Sequence, residues 1–267
     1  MMQIFVINLE RRPQRFAHIR AQLEARGLPF TRIDAVDGQS QKDIGYPAQH
    51  PTLTKPEFAC YLSHLKAFRA FLETDAPRCL ILEDDAVLAK NIAEVLDVDA
   101  FFASDNAIIR LDAPTEAEWH HPVRVARKPI AQHGRYAMFH LRSSALGSAA
   151  YVISRTVAQR ILREFSEPKV QIDVLWGRKG NITQPSVQLF QITPTLSQQL
   201  QFTATPTNSG DFASDIFTST SKEIVPESGL LNDVLQPFRN IRHNLWRILR
   251  PVYFMVVPHK LFPFDDS

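Results

Sequence analysis

The chain is poor in glycine and cysteine. Nine glycines and two cysteines occur among 267 residues, and neither G-x-G-x-x-G nor G-x-x-x-x-G-K-[ST] is present. A glycine-lined loop that cradles a dinucleotide or a triphosphate is therefore not expected. G-x-S-x-G and H-E-x-x-H are also missing, which leaves no support for a serine hydrolase or a zinc peptidase.

The cysteines and the apolar segments give little sign of an extracellular or membrane-spanning protein. Cys60 and Cys79 each lie in an apolar stretch without the paired spacing of a zinc site, which predicts two reduced core residues. The first apolar run, residues 4–7, is too short for the core of a signal peptide. No run approaches the roughly 18 apolar residues of a spanning helix. We expect a cytoplasmic catalytic region.

Charge is nearly balanced but unevenly placed. The formal net charge is +2, while lysine and arginine crowd the first fifty and the last thirty residues. Basic patches on a nearly neutral chain favour phosphate-containing small ligands, and we expect no nucleic-acid partner. The apolar content of 45% is ordinary for a soluble globular protein.

The most informative segment is RCLILEDDAVL at 78–88, an apolar run that stops at Glu83, Asp84 and Asp85. Such a run predicts a strand buried on both faces, and in open α/β sheets the ligand crevice lies beyond the carboxyl ends of the strands. Carboxylate oxygens suit Mg²⁺ or Mn²⁺. If the extended conformation continues, Glu83 and Asp85 share one side and Asp84 points away. The alternative is that these acids cap the following helix.

The order of elements predicts an α/β fold with a mostly parallel sheet covered by helices on both faces. Pro13 opens the first helix, and Thr54 with Glu57 matches a capping box at the start of another. Further strands are expected near 3–8, 30–35, 106–111, 136–141, 149–154 and 187–192, and further helices near 90–103 and 155–165.

Three regions are expected along the chain. Residues 1–194 form the catalytic domain, and residues 195–228, rich in Thr, Ser, Gln and Pro, form a loop or a partly disordered tail. Residues 229–267 form a basic amphipathic segment. A helix of this kind is typical of attachment to an anionic membrane surface, although an ordinary surface helix docked on the core fits the same pattern.

Five sequence blocks resemble one family in the same order: FVINLERRPQRFAHIRAQLEARGLPFTRIDAVDG, EFACYLSHLKAF, LILEDDAVL, GSAAYVISRTVAQRIL and QIDVLW. The chain is similar to glycosyltransferase family 25, the lipooligosaccharide and lipopolysaccharide galactosyltransferases that also include collagen galactosyltransferases. Phe58, Ala59 and Gln171 depart from the family pattern at packing or turn positions.

The resemblance implies a GT-A type fold, a UDP-hexose donor, Mn²⁺ (or Mg²⁺) and transfer with inversion onto a lipooligosaccharide or lipopolysaccharide acceptor. Galactose from UDP-galactose is the expected donor sugar, at the inner face of a bacterial membrane. Three alternatives stay open: UDP-glucose or another hexosyl donor, a metal-dependent phosphohydrolase that uses the same acids, and a binding module without turnover.

The acids receive roles within this scheme. Asp85 is the expected direct metal ligand, and Glu83 contributes to the metal directly or through water or ribose. Asp84 belongs to the donor-binding set. Asp173, between apolar neighbours, is the expected base that deprotonates the acceptor hydroxyl, because partial burial raises a carboxyl pKa. Its alternative role is the N-cap of a helix that begins near 174.

Other residues are assigned to the donor and acceptor sides. Asn8, Arg12, Asp37 and Ser148 are expected at the donor, with Arg15 beside Arg12. The alternatives are a solvated face for the arginines and a turn-forming role for Asp37. Glu57 and His64, seven residues apart on one flank of a helix, are expected at a polar site below the acceptor. A capping role for Glu57 and a satisfied buried histidine at His64 are the alternatives.

Overall fold

The computed structural model describes residues 2–39, 44–47, 50–112, 123, 125–142, 147–175 and 187–200. Its centre is an eight-stranded sheet in the order β2-β1-β3-β8-β5-β9-β7-β6, and β4 pairs with β10 in a second, two-stranded sheet. The strands are β1 Gln3–Asn8, β2 Thr31–Asp34, β3 Arg78–Glu83, β4 Ala86–Leu88, β5 Ala107–Arg110, β6 Ala131–His133, β7 Tyr136–His140, β8 Ala150–Ser154, β9 Gln188–Thr193 and β10 Ser197–Gln199.

Most strands of the large sheet run in one direction. β1 is parallel to β2 and β3, and β5 is parallel to β9. β8 lies antiparallel between β3 and β5, while β7 lies antiparallel between β9 and β6. The carboxyl ends of β1, β3 and β5 therefore meet at one edge, together with the amino end of β8.

Helices cover both faces of the sheet. They are α1 Pro13–Glu24, α2 Lys55–Leu72, α3 Ile92–Leu96, α4 Arg155–Glu164 and α5 Ile172–Leu175, with a 3₁₀ turn at Asp99–Phe101. Ile4 and Val6 of β1 pack in one apolar cluster with residues of α1 and α3. Phe5 and Ile7 face the other cluster, beneath α2 and α4. This alternation buries both faces of the strand, as its continuous apolar run predicts.

Local sequence accounts for the main helix starts. Proline occupies the first turn of α1, and Thr54 and Glu57 form the predicted capping box at the start of α2. Glu57 Oε2 accepts the backbone N–H of Thr54 at 2.7 Å, and its own N–H faces Thr54 Oγ1. These bonds satisfy backbone donors that the first helical turn leaves without partners.

The predicted α/β fold class, a mostly parallel sheet flanked by helices, is confirmed; the GT-A type stays a prediction. Two details are wrong. The helix expected over 90–103 is split, because Val98 is extended (φ −83°, ψ 95°) between α3 and the 3₁₀ turn. The folded domain also continues beyond residue 194, where the loop or tail was expected to begin, because β10 pairs with β4 and Leu196 is fully buried. Residues 201–267, with the predicted amphipathic segment, lie outside the described residues.

The small sheet is held against α1 by side chains. Gln22 Oε1 accepts the N–H of Leu88 at 2.7 Å, and Gln22 Nε2 donates to the carbonyl of Ala86 at 3.0 Å. Arg26 donates to the carbonyls of Leu88 and Ala89. From the other side, the N–H of Leu200 donates to the carbonyl of Asp85 at 2.8 Å. The turn between β3 and β4 is thus fixed at both ends. Within the described ranges, no helix has the length and apolar content needed to cross a membrane.

Candidate functional site

The acid triplet forms a turn at the carboxyl end of β3. The strand ends at Glu83, and Asp84 and Asp85 lead into β4. Arg15 Nη2 lies 2.8 Å from both Asp84 Oδ1 and Asp85 Oδ2. The predicted alternation, which would point Asp84 away from Asp85, is wrong because the extended conformation stops at Glu83. The helix-capping alternative is also wrong, since α3 begins only at Ile92.

Asp84 is oriented by the end of β1. Asn8, which is buried, donates from Nδ2 to Asp84 Oδ2 at 2.8 Å and to the carbonyl of Arg12 at 3.1 Å. Arg32 Nε donates to Asn8 Oδ1 at 3.1 Å. Burial raises the pKa of Asp84, while the Arg15 guanidinium and the Asn8 bond lower it. Both Asp84 oxygens are therefore engaged by protein groups.

Asp85 keeps one oxygen available. Its Oδ1 is buried, and no hydrogen-bond partner for this atom is found in the described part of the chain. Burial raises the pKa of Asp85 to about 7, with Glu83 and Asp84 adding to the rise and Arg15 opposing it. A buried anionic oxygen without a partner is costly, and a divalent cation would satisfy it. The donor set is compatible with Mn²⁺ or Mg²⁺ at Asp85.

Glu83 turns to a different set of partners. Ser148 Oγ donates to Glu83 Oε1 at 2.5 Å, and His64 Nε2 lies 3.4 Å from the same oxygen. His64 is fully buried, and its Nδ1 lies 2.8 Å from the Tyr151 hydroxyl. Burial alone would raise the pKa of Glu83, but the His64 and Ser148 contacts lower it. Glu83 is therefore held as a carboxylate by two neighbours from other elements.

Asp173 reaches the same edge from α5. The N–H of Gly147 donates to Asp173 Oδ2 at 2.7 Å. Burial raises the pKa of Asp173, and the Gly147 bond only partly offsets it. Because α5 begins at Ile172, Asp173 lies inside the first turn and is not the N-cap. Gly147 and Ser148 are adjacent, so one short segment contacts both Asp173 and Glu83.

Two residues of this edge, Arg110 and Asp112, are absent from the sequence prediction. Arg110 is only 1% exposed, and its Nη2 donates to Asp112 Oδ1 at 3.1 Å. Asp112 Oδ2 accepts the N–H of Ala149 at 3.1 Å. Burial raises the pKa of Asp112, and Arg110 opposes the rise. The signal that singles out Glu83, an acid just after a buried strand, applies equally to Asp112.

The Arg110–Asp112 ion pair limits the space beside Gly147. This glycine has φ +105°, and a β-carbon there would lie 3.0 Å from Asp112 Oδ2 and 3.1 Å from Arg110 Nη2. Only glycine adopts this conformation without strain, and only glycine leaves room for the ion pair. Arg110 and Asp112 therefore support the segment that carries the Asp173 contact.

Glu57 and Cys60 lie on α2 below these groups. Glu57 makes the capping box, and Gln171 Nε2 donates to its second oxygen, which ties α2 to the start of α5. The structure thus favours the capping alternative for Glu57. Both cysteines are free thiols as expected; Cys79 is buried in the core, whereas Cys60 lies at the edge of the core with intermediate exposure. Burial raises the pKa of the Cys60 thiol, and nearby Glu83, Asp173, Asp85 and Glu57 add to the rise.

The remaining predicted donor residues lie near β1 and β2. Arg12 is partly buried at the N-cap of α1, where it contributes positive charge beside Asp84. Asp37 pairs with Arg11 Nε at 2.8 Å and accepts the N–H of Gln39 at 2.8 Å. The turn-forming alternative for Asp37 is therefore confirmed. Its contact with a donor stays a prediction.

Comparisons with known proteins agree with the sequence blocks. The chain is 30% identical over 176 residues to the lacto-N-neotetraose biosynthesis glycosyltransferase LgtB of Neisseria gonorrhoeae, a match that covers 62% of this chain and 61% of that relative. The chain thus spans less than two thirds of that relative's length. LgtB of Neisseria meningitidis serogroup A is 30% identical over 214 residues, 74% of either protein.

Among solved structures, the galactosyltransferase LgtC in complex with donor and acceptor sugar analogues is similar with a TM-score of 0.34 and 13% identity. That match covers 66% of this chain and 73% of LgtC. Residues 1–176 match the family model described as glycosyltransferase family 25 (LPS biosynthesis protein). The resemblance of the five blocks is therefore confirmed, and the chain belongs to glycosyltransferase family 25.

Proposed function

We propose that this protein transfers a hexose, galactose in preference, from a UDP-sugar to a lipooligosaccharide or lipopolysaccharide acceptor, with inversion at the anomeric carbon and with Mn²⁺ as cofactor. Family membership supports the reaction class. The names of both Neisseria relatives, which refer to lacto-N-neotetraose biosynthesis, support a glycan acceptor. The preference for galactose rests on the resemblance to the family's galactosyltransferases.

The observation that carries the proposal is the Gly147–Ser148 segment between two acids. Ser148 Oγ binds Glu83, at the end of β3, and the Gly147 N–H binds Asp173, in α5. A displacement reaction needs an electrostatic site for the leaving group and a base for the attacking group, held at a fixed separation. The segment contacts Asp173 and also Glu83, which lies two residues before the proposed metal ligand Asp85, and it thereby links the proposed base to the metal-binding turn.

On the donor side, Asp85 is the residue proposed to hold Mn²⁺ through its buried Oδ1. A divalent cation bound there would neutralise charge on the departing diphosphate. Arg12, partly buried beside Asp84, supplies positive charge for the phosphates. Arg15 holds the two aspartates in place by contacting both through one nitrogen. Asn8 fixes Asp84, so that the turn keeps its shape when the donor enters.

On the acceptor side, Asp173 takes the proton of the attacking hydroxyl. The acceptor oxygen forms a bond to the anomeric carbon while the bond from that carbon to the phosphate oxygen breaks. The proton moves to Asp173, and UDP leaves with the bonding electrons. A pKa raised by burial makes Asp173 a better proton acceptor than an exposed aspartate, and the Gly147 N–H keeps its carboxylate in orientation.

A location at the cytoplasmic face of the inner membrane is part of the proposal. In the sequence of residues 234–249 the apolar residues recur at helical spacing and the basic residues fall largely elsewhere around the wheel, a pattern that favours an anionic lipid surface. The test is cosedimentation with anionic vesicles of the full chain and of a chain that ends at 233. Loss of vesicle binding on truncation is expected, and unchanged binding would refute a membrane role for this segment.

The reaction is tested by UDP release from a panel of UDP-hexoses with Mn²⁺, with and without truncated lipooligosaccharide. We expect acceptor-dependent release with one donor, strongly reduced by Asp85→Asn and Asp173→Asn. Asp97→Asn, at an exposed position after α3, is the matched control and should retain the wild-type rate. Hydrolysis without acceptor at the full rate would indicate a phosphohydrolase instead. UDP binding without turnover on any acceptor would indicate a binding module.

A further inference from the structure

Cys60, His64 and Glu83 form a compact group with three different ligand atoms. The cysteine sulfur, a histidine ring nitrogen and a carboxylate oxygen all lie within 4.8 Å of one another. Cys60 and His64 are four residues apart on α2, which places them on one face of the helix, and Glu83 faces them from the end of β3. From the geometry we infer that this group binds a thiophilic divalent cation of the Zn²⁺ class.

The state of His64 is an independent observation in favour of this site. Its Nε2 is fully buried and makes no hydrogen bond of good geometry within the described residues, and its neighbour at 3.4 Å is Glu83 Oε1, another member of the group. Its Nδ1 lies 2.8 Å from the Tyr151 hydroxyl. A cation bound between His64 and Glu83 would take the place of a proton on Nε2, while Nδ1–H donates to the Tyr151 hydroxyl and keeps the ring in orientation. Metal-binding histidines in proteins are oriented in this way by an outer hydrogen bond.

The carboxylate has a matching outer partner. Ser148 Oγ donates to Glu83 Oε1, so both Glu83 and His64 are held by a second group from β8 or the segment before it. A cysteine sulfur and an imidazole nitrogen select zinc over manganese or magnesium, which prefer oxygen. Cys60 and Glu83 have intermediate exposure, so the group lies at the border of the core and not at its centre.

This site differs from the proposed Mn²⁺ position at Asp85, with which it shares only the neighbourhood of Glu83. The Asp85 side chain is held by Arg15 on the α1 side, whereas the sulfur and the imidazole come from α2. Zinc at Cys60 and His64 would fix Glu83 on the α2 side of the edge. The binding site itself does not depend on the proposed transferase activity.

The test is titration of the metal-free full chain with Co²⁺, which reports a thiolate ligand by a charge-transfer absorption band. We expect the band in the wild type and its displacement by Zn²⁺. Cys60→Ala should abolish it, whereas Cys79→Ala, at the other cysteine, should retain it. Tyr151→Phe should weaken Co²⁺ binding about tenfold or more, because the outer bond to His64 is lost.

A wild-type protein without the band overturns the inference, and so does a band that persists in Cys60→Ala. Near-ultraviolet circular dichroism checks the fold of each variant, and His64→Gln gives a second removal of one ligand. Asp85→Asn should keep the band. Loss of the band in Asp85→Asn would show that Asp85 belongs to the same cation site and refute a separate site. A failed transferase assay leaves these outcomes unchanged.

Discussion

Replacing Asp85 with asparagine should change how the stability of the metal-free protein depends on pH. The carboxyl has an ordinary pKa of 3.8 and a folded-state pKa of about 7, raised first by burial. Between these values the folded chain holds one more proton than the unfolded chain, so stability falls as pH rises. Each pH unit within this window costs about 1.4 kcal/mol, and the whole window costs on the order of 4 kcal/mol.

An asparagine at this position has no carboxyl proton to lose, so the unfolding free energy of the variant should lack this dependence on pH. The assay is urea unfolding in the presence of a chelator from pH 5 to pH 8, for the wild type and for Asp85→Asn. The advantage of the wild type over the variant should shrink by roughly 2 kcal/mol between pH 5 and pH 7 and then level off toward pH 8. Asp97→Asn, at an exposed position, should follow the wild-type profile. Parallel profiles for the wild type and Asp85→Asn would refute the buried, proton-holding carboxyl.

Three further substitutions test the site and its support. Gly147→Ala should cost about 1–3 kcal/mol of unfolding free energy, because φ is +105° and the new β-carbon would meet the Arg110–Asp112 ion pair. Gly134→Ala, in open space at φ +54°, is the control and should cost less in the same urea unfolding assay. Arg15→Gln should cost about 3 kcal/mol of unfolding free energy, because it leaves two buried aspartates without their shared guanidinium. Arg20→Gln, in an exposed ion pair on the same helix, is the control and should cost under about 0.5 kcal/mol in the same urea titration. Thr54→Ala should cost about 1 kcal/mol through the lost cap, measured as a lower thermal midpoint. Equal losses of unfolding free energy for Gly147→Ala and Gly134→Ala would contradict the first prediction, and equal losses for Arg15→Gln and Arg20→Gln would contradict the second. An unchanged thermal midpoint in Thr54→Ala would contradict the third.

Sequence patterns predict the sheet well because its strands are buried on both faces. The run before Glu83 is apolar throughout, and its alternate residues pack in the two separate clusters. The start of α2 is equally readable, since Thr54 and Glu57 supply the cap within four residues. In these segments the local pattern and the tertiary environment favour the same conformation.

The acid turn was harder to predict because distant residues decide it. The backbone conformation after Glu83 depends on the ion pairs of Arg15, on the hydrogen bonds between α1 and β4, and on the hydrogen bond from Leu200, more than a hundred residues away in sequence. β10 is also missed, since a strand as short as Ser197–Gln199 carries no periodic signal. Nothing local marks these contacts.

The candidate site likewise contains residues that the local sequence singles out and contacts that only the folded chain reveals. Asp173 can be singled out because an acid between apolar residues is unusual, but its bond to Gly147, 26 residues earlier in the chain, requires the folded structure. The proximity of Cys60, His64 and Glu83 likewise joins α2 to β3. Asp112 is different, because its position after a buried strand is visible in the sequence, and applying the strand-end criterion uniformly would have found it.

The most direct test of the proposed donor site is calorimetric titration of UDP into the wild type, Asp85→Asn and Asp173→Asn, each with Mn²⁺ and with a chelator. We expect Mn²⁺ to strengthen UDP binding to the wild type and to Asp173→Asn, and to have little effect on Asp85→Asn. Equal strengthening by Mn²⁺ in Asp85→Asn and the wild type would contradict the assignment of the metal to Asp85.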